Sequence, residues 1–114
     1  MKVLTIALPV YNEADNITTA LMRIAEEVSV PYTITIVYDT DLDTTVPVVR
    51  EWQNSHDNVV LLKNKYGRGV LNAIKTGLEE SQTEYIVVTM ADLSYNATHT
   101  LSQRFGFLQY HTFR

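Results

Sequence analysis

The chain has 114 residues, near the commonest size of a single domain, and can bury roughly two thirds of the surface its unfolded form exposes. An apolar share of 46% with 19% charged residues excludes a disordered chain. The lack of cysteine excludes a disulfide framework or a thiolate metal site. A net charge of −4, with the basic residues scattered, provides no electrostatic footprint for nucleic acid.

The chain opens on "VLTIALPV", which is apolar but short and broken by Pro9. It is too short for a membrane span and lacks the cleavage region of a signal peptide. A soluble, cytoplasmic chain is expected, with any membrane association supplied by a further segment or a partner.

Two periodicities alternate along the sequence. Residues 2–8, "KVLTIAL", form a continuous apolar run and read as a buried strand. A turn-rich segment, "PVYNEADN", leads into a helical stripe from Ala14 to Val28, made by Ile17, Ala20, Leu21, Ile24, Ala25 and Val28. "YTITIVY" (32–38) reads as a second strand and is followed by the acidic loop "DTDLDTT". Val46, Pro47, Val49 and Trp52 predict a helix with the proline in its first turn.

"NVVLLK" (58–63) reads as a third strand and "NKYGRG" as a glycine-bearing loop. Val70, Ala73, Ile74, Gly77 and Leu78 then form a third helical stripe, and "EYIVVTM" (84–90) a fourth strand. Strands alternating with helices are the signature of right-handed βαβ units and a parallel sheet. The strands read as apolar on both faces, as a sheet covered by helices on each side requires. The expected fold class is therefore α/β, a mostly parallel Rossmann-like sheet flanked by helices. Residues 1–94 read as the domain. Residues 95–114 read as an atypical tail with the pattern of a truncated, frame-shifted or divergent end.

In open α/β sheets, ligands bind beyond the carboxyl ends of the strands. Those ends read "PVYNE", "DTDLD", "NKYGRG" and "ADLS". Three of the four carry acids, which predicts an acidic crevice with one basic loop, suited to a polyphosphate with a metal.

These four pieces, in this order, resemble the nucleotide-binding half of inverting family 2 glycosyltransferases, which have the GT-A fold. The likeness spans residues 3 to about 94 and is nearest to the polyprenyl (dolichyl) phosphate mannose synthase branch. "LPVYNEADNI" is similar to that family's first-strand motif and implies that Pro9, Tyr11 and Glu13 hold the base and ribose. "IVYDTDLDTT" resembles the second motif, with Asp39 as the base-binding acid, Tyr38 in place of the acid before it, and Asp43 as the later acid. "YGRGVLNAIKTGL" resembles the loop and helix that approach the nucleotide, with Gly69, Ala73 and Gly77 at matching spacing. "VVTMADLS" looks like the metal-bearing strand end, with Asp92 as the ligand of Mg²⁺ or Mn²⁺ and Met90 where a first acid would stand.

The resemblance implies a nucleoside-diphosphate sugar as donor and a lipid phosphate as acceptor. No residue after Leu93 reads as the general base that an inverting transfer requires, so the catalytic residue is unknown. A non-catalytic nucleotide-binding or assembly module is the alternative, and a flavodoxin-like receiver a more distant one. Because a four-strand sheet of this kind leaves an edge strand unpaired, a homo-oligomer is expected, with Phe105, Phe107, Tyr110 and Phe113 packing across the interface.

Simpler readings stand beside these. Glu13 and Asp15 are also favourable charges in a helix's first turn, and Asp41, Asp43 and Asp92 are also helix caps. Gly67 and Gly69 also serve turn geometry. Lys65 and Arg68 read either as a solvated basic edge or as phosphate contacts at a helix start.

Overall fold

A computed structural model describes residues 2–91. The order is β1 (Leu4–Pro9), α1 (Ala14–Glu27), β2 (Tyr32–Tyr38), α2 (Thr45–Gln53), β3 (Val59–Lys63), α3 (Val70–Glu80) and β4 (Tyr85–Val88). Every strand and helix read from the sequence is present, β2 at the bounds expected and the other strands with shifted ends. Asp92 and the aromatic residues Phe105, Phe107, Tyr110 and Phe113 lie outside the described residues, as does the boundary expected at residue 94.

The four strands form one sheet in the order β3-β2-β1-β4, and every pairing is parallel. The register sets Leu4 beside Tyr32 on one side and Tyr85 on the other. Parallel neighbours need crossover connections, and the three helices provide them.

Side chains alternate across a strand, so each strand splits its residues between two faces. Leu4, Ile6 and Leu8 of β1 join Ile34, Ile36 and Val59 in the main core, against Ile17, Leu21 and Ile24 of α1 and Val46 and Val49 of α2. Burying each of these large aliphatic side chains is worth about 2 kcal/mol. The α1 stripe packs as its spacing predicts, except that Ala25 is exposed. Trp52 packs against the same core from α2 and stacks on His56, with ring centroids 4.0 Å apart.

Helix α3 covers the opposite face. A Cβ on Gly77 would lie 3.3 Å from Cβ of Ala7 and 3.7 Å from Cγ2 of Val37, so this glycine lets the helix sit close on β1 and β2. The buried side of α3 is Ala73, Thr76 and Gly77. Val70 and Leu78, expected in its apolar stripe, are exposed instead. The second face also departs from the expected all-apolar character. It carries Thr5 and Thr35, and Thr5 hydrogen-bonds with Thr83 (2.6 Å) and accepts from Ser81 (3.0 Å). One helix shields less of a sheet than two, and β3 at the edge leaves Val60 44% exposed.

The candidate nucleotide crevice

In the order β3-β2-β1-β4 the chain first steps outward from β1 to β3 and then returns to β1's other side. The strand order therefore reverses beside β1, the point where an open α/β sheet splays its loops and accepts ligands. A crevice of about 440 Å³ lies there. Pro9, Val10, Tyr11 and Glu13 line it from the end of β1, Asp39 from the end of β2, and Met90 and Ala91 from beyond β4. Arg68, Gly69, Val70 and Ala73 line it from the entry into α3. Pro9, Tyr11, Glu13, Asp39 and Gly69, the residues expected from sequence to hold a nucleotide, thus converge on one cavity.

The β1–α1 loop is held by a strap to the start of α2. Asn12 takes a left-handed φ of 50°, a conformation that asparagine tolerates better than most residues. Its backbone N–H donates to both carboxylate oxygens of Asp43 at 3.1 Å, and its side-chain Oδ1 accepts from the Thr44 N–H at 3.0 Å. The Glu13 N–H donates to Oγ1 of Thr45 (2.8 Å), and the Thr45 N–H donates to Oδ1 of Asp43 (2.8 Å). Asp43 is only 4% exposed and Thr45 is fully buried. Both oxygens of Asp43 are therefore committed to backbone donors. Of its two readings, capping and loop anchoring is the one the geometry supports.

Glu13 is different. Its Oε2 is buried with no hydrogen-bond partner among the described residues. Leaving such an acceptor unpaired costs about 1–3 kcal/mol, so an orphan on the wall of a crevice marks a place where a donor is missing. Asp39 is half-buried, and its Oδ1 accepts from Nδ2 of Asn64 at 2.9 Å. Asp41, by contrast, is well exposed and pairs with Lys63 at 3.2 Å, which places it outside the crevice.

The opposite wall is the β3–α3 loop. Gly67 and Gly69 have φ of 91° and 130°, which L side chains rarely adopt, so the turn reading of both glycines holds. Gly69 also lines the crevice, and its carbonyl accepts from the Ala73 N–H at 3.0 Å, closing the first turn of α3. The two basic residues of the loop part ways. Lys65 turns outward and pairs with Glu80 at 2.8 Å and Glu79 at 3.5 Å; the Glu80 hydrogen bond foremost raises its pKa above the ordinary lysine value. Arg68 leans over the Tyr11 ring, 5.3 Å from its centroid, and donates through Nη2 to the Tyr11 hydroxyl at 3.3 Å. It brings a guanidinium to a crevice otherwise lined by two carboxylates.

On the outer side of this loop, the Tyr66 hydroxyl donates to Glu79. That bond, ahead of the Lys65 contact, lowers the Glu79 pKa, and it raises that of Tyr66.

Two residues that matter here carried no assignment from sequence. Asn12 and Asn64 are both short amides in loops, and their work depends on partners more than 20 positions away. The one local signal is that asparagine tolerates the left-handed backbone found at position 12.

The described residues include no cluster of three or more acids or histidines suited to a metal. Met90, 44% exposed at the crevice, offers a thioether, which is a poor ligand for Mg²⁺ or Mn²⁺. The described residues do not by themselves fit such an ion. No helix among them is long and apolar enough to cross a membrane.

A family model described as glycosyl transferase family 2 matches residues 5–111. The glycosyltransferase AglE of Haloferax volcanii is 27% identical over 92 residues, which is 79% of this chain and 30% of AglE. The mannosyltransferase PcManGT of Pyrobaculum calidifontis, solved in complex with GDP-Man and Mn²⁺, is 30% identical with a TM-score of 0.77, over 92% of this chain and 32% of that one. TarS 1-349 of S. aureus, solved in complex with UDP, has a TM-score of 0.73 at 23% identity, over 97% of this chain and 33% of TarS 1-349. At that identity the likeness speaks for the fold alone. This chain spans about a third of the length of the relatives it matches. The chain belongs to glycosyl transferase family 2, and its parallel sheet with flanking helices is a Rossmann-like part of the GT-A fold.

Proposed function

We propose that this chain binds the nucleoside-diphosphate sugar donor of an inverting glycosyl transfer. The observation that carries this reading is the convergence of Pro9, Tyr11, Glu13, Asp39 and Gly69 on one crevice at the strand-order reversal. Carboxylates accept from the N–H edge of a base and from ribose hydroxyls, which suits Asp39 and the partly orphaned Glu13. The Tyr11 ring gives a base a flat apolar surface. Arg68 and the free N–H groups at the start of α3 suit the diphosphate, since a helix N-terminus and a guanidinium both attract phosphate oxygens. A relative solved with GDP-Man supports the ligand class.

A divalent cation on the diphosphate would act as a Lewis acid for the leaving group, with Asp92 as its protein ligand. The Mn²⁺ of the PcManGT complex supports the choice of ion. Resemblance to the polyprenyl phosphate branch points to a lipid phosphate acceptor. β4 pairs with β1 alone among the described strands, which supports assembly of copies through that edge. Residues 1–94 would be the binding unit, with 95–114 as an atypical tail.

Titration calorimetry with UDP and with GDP, each with and without Mn²⁺, tests the reading. Binding of one of them, strengthened by Mn²⁺, is expected. A flat titration for both nucleotides, with and without metal, overturns it.

Met90 favours a second reading, a nucleotide-binding module without transferase chemistry. A thioether stands at the crevice where a hard oxygen ligand would serve the metal. Under this reading the nucleotide binds, yet UDP- and GDP-sugars are neither hydrolysed nor transferred at high protein concentration.

A further inference from the structure

Asn64 follows β3 directly and has no direct place in the crevice lining, yet every polar atom of its side chain is used. Its Nδ2 donates to Asp39 Oδ1 at 2.9 Å and to the Gly69 carbonyl at 3.3 Å. Its Oδ1 accepts from the Tyr66 N–H at 3.1 Å and from the Thr76 hydroxyl at 3.2 Å. Thr76 is fully buried, and its own Oγ1 accepts from the Lys65 N–H at 3.1 Å. The amide orientation follows from the partners, because two acceptors face one end and a backbone donor faces the other. The amide therefore cannot flip and keep its bonds.

The consequence falls on Asp39. One oxygen of its carboxylate is tied to this fixed amide, and Oδ2 has no hydrogen-bond partner among the described residues. An exposed aspartate at a strand end would otherwise rotate about both its side-chain bonds and lose that freedom only on binding. A carboxylate already fixed by a second residue binds its ligand without that ordering cost. The same amide holds the Gly69 carbonyl, so a single side chain sets the distance between the acid on β2 and the loop that enters α3.

We propose that Asn64 is the positioning residue for nucleobase recognition: it clamps Asp39 through Oδ1 and leaves Oδ2 to accept from an N–H of the base. The proposal rests on the donor-binding reading above. It goes further in naming a residue outside the crevice on which base recognition depends, and it makes Asn64 act through Asp39 and not through the loop.

A double-mutant cycle separates these routes. Binding of UDP and GDP with Mn²⁺ is measured by calorimetry for the wild type, Asn64→Ala, Asp39→Asn and the double variant, with thermal melting of each. Asn64→Ala is expected to weaken the preferred nucleotide about tenfold, the scale of one bond to a charged group. In the Asp39→Asn background the same change should cost less than about twofold, because the clamped group is already altered.

Asn64→Asp gives a second handle, since it keeps an acceptor for the Tyr66 N–H and Thr76 hydroxyl and removes the donor to Asp39. It should weaken binding at least as much as Asn64→Ala, and it serves alone where the alanine variant does not fold. An Asn64→Ala loss that persists in full beside Asp39→Asn overturns the proposal in favour of a loop effect. Wild-type affinity in Asn64→Asp also overturns it. A wild-type protein that binds neither nucleotide overturns the donor-binding reading, and this inference falls with it; wild-type binding with unaffected variants overturns this inference alone.

Discussion

The two walls of the crevice are built in different ways. The wall made by the β1–α1 loop is anchored from beneath by Asp43 and Thr45, both buried, through short bonds to backbone N–H groups. The wall made by the β3–α3 loop rests on the half-buried amide of Asn64, on one buried hydroxyl, Thr76, and on exposed contacts among Lys65, Tyr66, Glu79 and Glu80. Buried charge-assisted bonds are worth more than exposed ones, which water and salt screen. The first wall is therefore a fixed template that holds Pro9, Tyr11 and Glu13 in place. The second has fewer buried anchors, and segments held by few buried contacts open more readily.

The sharpest way to break this contrast is to remove the anchor of the first wall. Asp43→Ala leaves the N–H groups of Asn12 and Thr45 without their acceptor and should cost about 3 kcal/mol of unfolding free energy, read by urea denaturation. It should also abolish nucleotide binding, although Asp43 touches no ligand in this scheme. A variant with wild-type stability would show that the loop is held by something else.

The next effect is smaller and falls on the second wall. Gly69→Ala meets no atom within 4 Å, so its cost is that of the backbone alone at φ 130°. About 1–3 kcal/mol is expected for placing an L residue there, or else a shift of the loop that weakens nucleotide binding while the sheet keeps its stability. Calorimetry and thermal melting on the same sample distinguish the two outcomes.

The smallest effect concerns the outer face of that wall. The Tyr66 hydroxyl, and after it Lys65, favours the charged form of Glu79 in the folded chain and holds its pKa below the ordinary value. A group whose pKa is lowered on folding stabilises the fold above its unfolded pKa, and this contribution is lost as pH falls through the folded value. Glu79→Gln should therefore leave the acid limb of the stability profile slightly flatter below the usual carboxylate range. At neutral pH it should change the melting temperature little, since the group is exposed and screened. A large change at neutral pH would show that the second wall is more firmly built than its contacts suggest.

Most of the architecture was legible in the sequence. Apolar periodicity is local, and runs such as 32–38 and the stripe of Ile17, Leu21 and Ile24 declare strand and helix without knowledge of their partners. The alternation of the two then restricts the sheet to a parallel one. The strand-end rule and the motif resemblance together located Pro9, Tyr11, Glu13, Asp39 and Gly69, and these do meet in one crevice. Legibility failed where partners lie far apart in the chain. Val70 and Leu78 have helical spacing, yet α3 meets the sheet through Ala73, Thr76 and Gly77, because the close approach at Ala7 favours small side chains.

Asp39 and Asp43 mark the boundary between what each level decides. By itself, the sequence determined that acids follow β2, that the segment is a loop, and that it lies at the ligand-binding end of the sheet. Spacing set Asp39 at the end of an apolar strand and left Asp43 with two readings, ligand contact and helix cap. The tertiary structure alone decided that Asp43 turns inward to satisfy backbone donors of another loop, while Asp39 stays half-buried on the crevice wall under the hold of Asn64. The physical reason is that a carboxylate's task depends on which donors reach it: beside the local Thr45 N–H, the donors that separate the two acids come from residues 12 and 64, brought near by the parallel sheet.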